Sequence, residues 1–179
     1  LEYEKAIADF SEAINLNPAF IEAYTNRAHA YADTAQYDKA VADYGKVLEL
    51  DPTNARVYNS RGITYADLKD YEKAIADFTY AIAIDVNYAR AYNNRGNAYR
   101  SIEEYEKAIA DFETAITLDP QYARAYYNRG NVYSDLKDYE KAIGDYTRAI
   151  ELDPEYARAY NNRGMAYEAL GQMAEAIAD

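Results

Sequence analysis

Cysteine is absent from the 179 residues, and histidine occurs once, at His29. Within this sequence those two facts exclude disulfides, thiolate metal sites, cysteine nucleophiles and paired-imidazole centres. No apolar run approaches the roughly 20 residues a helix needs to cross a bilayer, and no charged-then-apolar leader precedes the first segment. The expectation is a soluble chain, cytoplasmic by default. Basic residues are in deficit: 19 Lys and Arg against 31 Asp and Glu give a formal net charge of -12. That balance opposes the phosphate backbone, which drives most nucleic-acid affinity, so nucleic acid is not an expected partner, and the lack of a spanning run sets membrane aside as well. Glycine is sparse and lacks the Gly-x-Gly or Gly-Lys-Ser/Thr company of a phosphate loop.

What is present is repetition. Tyr24-Thr25-Asn26-Arg27-Ala28 returns as Tyr58-Asn59-Ser60-Arg61-Gly62, Tyr92-Asn93-Asn94-Arg95-Gly96, Tyr126-Tyr127-Asn128-Arg129-Gly130 and Tyr160-Asn161-Asn162-Arg163-Gly164, each 34 residues after the last. Proline marks the same period at Pro18, Pro52, Pro120 and Pro154, with Val86 as the one exception. Proline there stops one helix and opens the next turn. Two apolar stripes at helical spacing follow each such point. Tyr92, Gly96 and Tyr99 lie on one; Tyr71, Ala74, Phe78, Ala81 and Ile82 lie on the other, after a polar turn such as Asp67-Leu68-Lys69-Asp70. Each unit is therefore expected to be a helical hairpin, helix A then helix B, burying its apolar face against its neighbours.

The chain reads as a single array over 1–179. Residues 1–17 are helix B of a truncated repeat, 18–52, 53–86, 87–120 and 121–154 are full repeats, and 155–179 are a further truncated one. Both ends look cut, with Leu1 inside a helix B and Asp179 soon after another begins. Ile7, Phe10 and Ile14 then lack a preceding helix A and Ile177 ends an unfinished turn, which predicts exposed apolar surface and head-to-tail association of copies.

Two periodic features go beyond apolar packing. Glycine at 62, 96, 130 and 164, in mid-helix where it costs about 1 kcal/mol relative to alanine, implies that another helix comes very close. Arg27, Arg61, Arg95, Arg129 and Arg163 share a register with Asp9, Asp43, Asp77, Asp111, Asp145 and Asp179 on helix B. A partly buried guanidinium needs an acceptor, so one ion pair per unit is expected.

The aromatic, Gly/Ala and Tyr of helix A (Tyr58, Gly62, Tyr65) resemble the tetratricopeptide repeat family. So do the small–aromatic–small triplets of helix B (Ala74, Phe78, Ala81; Ala108, Phe112, Ala115; Ala142, Tyr146, Ala149) and the closing proline. Departures are Val86 for proline, Ala28 for glycine, Val47 for a helix B alanine and Met173 for the turn aromatic. The resemblance implies an all-α, right-handed α-solenoid and a noncatalytic protein–protein interaction scaffold with no cofactor and no metal. In such proteins helix A lines a concave groove that takes an extended peptide.

By that resemblance the peptide-binding residues are Asn26, Asn94, Asn128 and Asn162, joined by Asn97 and Asn131 three residues on, with Asn93 and Tyr127 beside them. A carboxamide can bond both the N–H and the C=O of an extended peptide; hydrogen bonding from turn to turn is the structural alternative. Arg56, Arg90, Arg124 and Arg158 stand at the second helix A position, which the resemblance implies faces the groove, and four of the five helix A windows are net positive in an acidic chain. A peptide with acidic residues or a C-terminal carboxylate fits them. Asn97, Asn128 and Arg158 also match three places of the family's carboxylate clamp, whereas Asn93 and Asn162 stand where its other lysine and its arginine would be. Two alternatives remain open: a substrate-presenting arm of a larger enzyme such as a glycosyltransferase, and a self-assembling array.

Overall fold

A computed structural model describes residues 2–171, which form ten helices and no strand among them. Five helices fall in a first unit, Leu1–Val86: α1 (Glu2–Leu16), α2 (Ile21–Asp33), α3 (Tyr37–Leu50), α4 (Ala55–Asp67) and α5 (Tyr71–Ile84). The other five belong to a second unit, Asn87–Asp179: α6 (Ala89–Ser101), α7 (Tyr105–Leu118), α8 (Ala123–Asp135), α9 (Tyr139–Leu152) and α10 (Ala157–Ala169). Leu1 and the final segment with Met173, Ile177 and Asp179 lie outside the described residues.

Even-numbered helices are the A helices and odd-numbered ones the B helices. α5 shows why the sequence folds this way: it buries Ala74, Asp77, Phe78, Ala81 and Ile82, the i, i+3, i+4, i+7, i+8 stripe of an amphipathic helix. That stripe packs on α4, as α9 packs on α8. Phe78 and Phe112 are sealed from solvent, each worth roughly 1.5–3 kcal/mol by burial. At the start of the first unit Ile14 is buried on α1 and Ile7 and Phe10 are half-buried, so less apolar surface is open there than the sequence suggests; Tyr3 and Leu16 remain exposed.

Glycine is needed where the A helix crosses the aromatic of its own B helix. A Cβ on Gly62 would stand 2.7 Å from Cε1 of Phe78, on Gly96 2.8 Å from Cε1 of Phe112, and on Gly130 2.8 Å from Cε1 of Tyr146. Real Cβ contacts are essentially never that short. In the first full repeat Ala28 takes the place of glycine, and both it and Tyr44 are buried.

The turn from A to B is the same each time. In the turn after α4, Lys69 N–H donates to the Ala66 carbonyl (2.9 Å) and Asp70 N–H to the Tyr65 carbonyl (2.9 Å), the paired bonds of a Schellman cap. The same pair recurs through Ala35 and Gln36, Glu103 and Glu104, and Lys137 and Asp138. Such a cap puts its C′ residue in the left-handed region; in four turns this is Ala35, Lys69, Glu103 and Lys137, with φ of 56–62°, and after α10 it is a glycine, Gly171 with φ 75°. Asp70 and Asp138 then cap the following helices, accepting from the backbone N–H of Lys73 and Lys141. The same lysines' ammonium groups hold both carboxyls below the usual carboxylate range.

Candidate peptide-binding face

The recurring arginines are structural. Arg27 Nε and Nη2 grip Asp43 at 2.7 and 2.8 Å, and Arg61 grips Asp77 in the same two-pronged way. Arg95 with Asp111 and Arg129 with Asp145 repeat it in the second unit. The four arginine side chains are 17–21% exposed and the four aspartates 5–9%. Each guanidinium lies 5.6–6.0 Å from two tyrosine ring centres of its own helix, for example Tyr58 and Tyr65 around Arg61. In two of these arginines the other amino group also reaches the preceding B helix: Arg27 Nη1 donates to Ser11 Oγ (3.0 Å), and Arg163 Nη1 to Thr147 Oγ1 (3.1 Å). Arg27 thus closes its own hairpin and ties it to the helix before. The partner expected for Arg163, Asp179, lies outside the described residues.

In the second unit the A helices run beside one another, α6 touching α8 and α8 touching α10. Their amides meet across these contacts. Asn128 Nδ2 donates to Asn93 Oδ1 (2.9 Å), and Asn162 Nδ2 donates both to the Tyr127 hydroxyl (3.1 Å) and to Asn131 Oδ1 (2.8 Å). Asn131 Oδ1 also accepts from the Tyr146 hydroxyl (2.9 Å). Of the residues singled out by sequence, Asn93 and Asn131 are buried, and Asn94, Asn97, Asn128, Asn162 and Tyr127 are half-buried. Arg90, Arg124 and Arg158 are exposed, and Asn26 is exposed on α2 of the first unit. The structure thus brings the five together as two hydrogen-bonded sets, Asn93 with Asn128 between α6 and α8, and Asn162 with Tyr127 and Asn131 between α8 and α10.

A pair outside the expected site set completes the face: Arg100 counts in the sequence toward the most basic helix A, but its partner was not expected. Arg100 donates through Nε and Nη2 to Asp135 (2.5 and 3.1 Å), joining α6 to α8. Arg100–Asp135, Asn93–Asn128 and Tyr127–Asn162 all span 35 residues. That offset of one repeat plus one residue is the signal by which a sequence search could have found them. The Tyr122 phenol is pushed up by burial while the charges of Arg124 and Arg90 pull it back. Tyr156 feels the same balance from burial and from Arg124 and Arg158, so the three arginines sit among partly buried phenols.

Tyr146 carries a pH prediction. Burial pushes its phenol up to about 12, against the nearby polar groups of Asn162 and Ser134, which favour the anion; Tyr44 shifts in the same direction, chiefly by burial. Below about pH 10 folded and unfolded chains both hold the Tyr146 proton; between there and about 12 only the unfolded chain gives it up, so stability falls through that window. Thermal melts of the wild type and Tyr146→Phe at pH 8 and pH 11 test this. The wild type should lose more on going to pH 11 than the variant; equal losses would contradict the assignment.

Comparison with known proteins places these observations. The "Tetratricopeptide repeat" family profile matches residues 21–54, 55–88 and 123–156, a second profile of that description matches 145–178, and the "TPR repeat" profile matches 2–35 and 96–137. No curated protein sequence matches this chain. Among solved structures, one of the MamA protein is 34% identical, covering 88% of this chain and 86% of its own, with a TM-score of 0.76. YrrB, described as a TPR protein with an unusual peptide-binding site, is 24% identical over 94% of this chain and 87% of its own, with a TM-score of 0.71. PilF of Pseudomonas aeruginosa, at 20% identity, shares the fold over 99% of this chain and 81% of its own, with a TM-score of 0.85. Among the described residues no helix is long and apolar enough to cross a membrane.

Proposed function

Because this chain belongs to the tetratricopeptide repeat family, we propose that it is a noncatalytic scaffold that holds an extended partner segment along the first helices of its repeats. The family's repeats are generally noncatalytic and typical of protein–protein interaction. The observation that carries the reading is the state of the arginines on α6, α8 and α10. Arg95 and Arg129 are each locked onto an aspartate, whereas Arg90, Arg124 and Arg158 are exposed and, among the described residues, pair with no carboxylate. A chain of net charge -12 that leaves these three cations open has a surface suited to an acidic segment or a C-terminal carboxylate.

Amides supply the contacts to the partner's backbone. Asn97 has neither end of its carboxamide engaged, and Asn128 spends one donor on Asn93 and keeps its oxygen. A few neutral hydrogen bonds of about 1 kcal/mol and one or two charge-assisted ones of about 1.5–3 kcal/mol must offset the ordering of the peptide. Micromolar affinity is the expectation.

A peptide array probed with the wild type and with Arg90→Ala/Arg124→Ala/Arg158→Ala tests this. The variant should lose the acidic and free-carboxylate spots, and added salt should weaken the wild type's capture of them. An unchanged spot pattern would remove the arginines from the binding face. Asn94→Ala/Asn128→Ala/Asn162→Ala is run beside it together with a thermal melt, since Asn128 and Asn162 also tie neighbouring helices.

A further inference from the structure

One cavity in the second unit has a chemistry that the binding of a generic acidic segment does not use. It measures about 170 Å³ and is lined by Arg100 from α6, Asn131, Ser134 and Asp135 from α8, Tyr146 from α9 and Asn162 from α10, with Met165 at its edge. By this kind of measure a single water needs about 10–15 Å³, so a short polar side chain has room.

Its donors and acceptors are unevenly spent. Asn131 is 7% exposed, and its oxygen accepts from both Tyr146 and Asn162, yet its Nδ2 has no protein partner. Among the described residues no side-chain nitrogen or oxygen is both sealed from solvent and without a partner, so Nδ2 opens to the cavity that Asn131 lines. Arg100 gives Nε and Nη2 to Asp135 and keeps Nη1 free. Asp135 takes one bond on each oxygen, which leaves lone pairs for another donor. Besides the Ser134 hydroxyl, which can donate or accept, the wall therefore offers two donors beside one acceptor, and its single ion pair leaves it without net charge.

The geometry points to a side-chain subsite that takes the primary carboxamide of a glutamine or asparagine in the bound segment. The ligand's carbonyl accepts from Asn131 Nδ2 and Arg100 Nη1, and its NH₂ donates to Asp135. A carboxylate would satisfy the donors but meet the charge of Asp135; an ammonium would meet Arg100; an aliphatic side chain would leave the buried amide unpaired. Met165, 62% exposed, covers the ligand's methylenes. The subsite rests on the proposal that a peptide lies along these helices, and its test does not depend on knowing that peptide.

The probes are N-acetylglutamine methylamide and the matching glutamate and norleucine compounds, titrated into the full chain by ¹H–¹⁵N NMR. The glutamine compound should move the Asn131 side-chain amide and Arg100 Nε–H signals saturably, and the other two should bind at least tenfold more weakly. In Asp135→Asn the acceptor's charge is gone and that of Arg100 is uncompensated, so the order should turn in favour of glutamate. Equal binding of all three, an absence of shifts at Asn131 and Arg100, or an unchanged order in Asp135→Asn each overturns the subsite. Glutamine-selective binding by a chain that captures no array peptide would retire the peptide-binding face and leave the subsite standing. Array capture with flat titrations would retire the subsite alone.

Discussion

Gly96→Leu lowers the thermal midpoint by roughly 5–10 °C, the shift expected when overpacking costs a few kcal/mol in a chain of this size. A Cβ at this position alone would come within 2.8–3.1 Å of three Phe112 ring carbons, and Phe112 has no exposed surface toward which it could move. A leucine adds three further carbons in the same place. The strain is confined to the A–B crossing, and the chain supplies its own control. A Cβ on Gly144, in α9, would meet nothing within 4 Å, so Gly144→Ala should be neutral or stabilise by up to about 1 kcal/mol through helix propensity. Circular-dichroism melts of both variants decide the matter. A wild-type midpoint for Gly96→Leu would mean that the helices do not approach as described.

Arg61→Ala costs about 3–5 kcal/mol, the usual penalty for removing one partner of a buried pair. Asp77 is 4% exposed and takes both of its hydrogen bonds from Arg61 at 2.7 and 2.8 Å, so the truncation leaves a largely buried carboxylate without its partner. Tyr58 and Tyr65 also lose the cation lying over their rings. The pair itself is another matter. Arg61→Met/Asp77→Leu removes both charges while keeping volume, and should recover most of the lost stability, because desolvating two ions offsets much of what their attraction returns. A urea-denaturation cycle over the two single variants and Arg61→Ala/Asp77→Ala measures the coupling. A single variant within about 0.5 kcal/mol of the wild type would show the pair to be ornamental.

Much of the fold was readable from the chain because each repeat states it again. Tyr58, Gly62, Tyr65, Ala74, Phe78 and Ala81 occupy the positions their spacing assigns, and the Arg–Asp pairs follow from two residue types sharing one period at a constant offset of 16. The face on α6, α8 and α10 was only half readable. Spacing puts Asn93, Asn128 and Asn162 on A helices, but which amide bonds which depends on how one A helix slides along the next, a contact between residues 35 apart that periodicity alone leaves open. The pairing of Arg100 with Asp135 was hidden for a related reason, since an arginine at the register of Arg100 does not recur in the other repeats. The non-glycine turns were illegible for a different one: a Schellman cap is a backbone event, and Ala35, Lys69, Glu103 and Lys137 give no hint of positive φ.

Those turns make the length of the chain a quantised property. The guanidinium of each A helix finds its carboxylate 16 positions later only because every A-to-B bend has one geometry; a single inserted residue in the bend would rotate helix B by about 100° and swing the aspartate out of reach. Such a protein therefore keeps its Arg–Asp pairs when lengthened or shortened by whole hairpins, whereas a point insertion within one breaks a pair, even at a site that looks like a permissive surface loop.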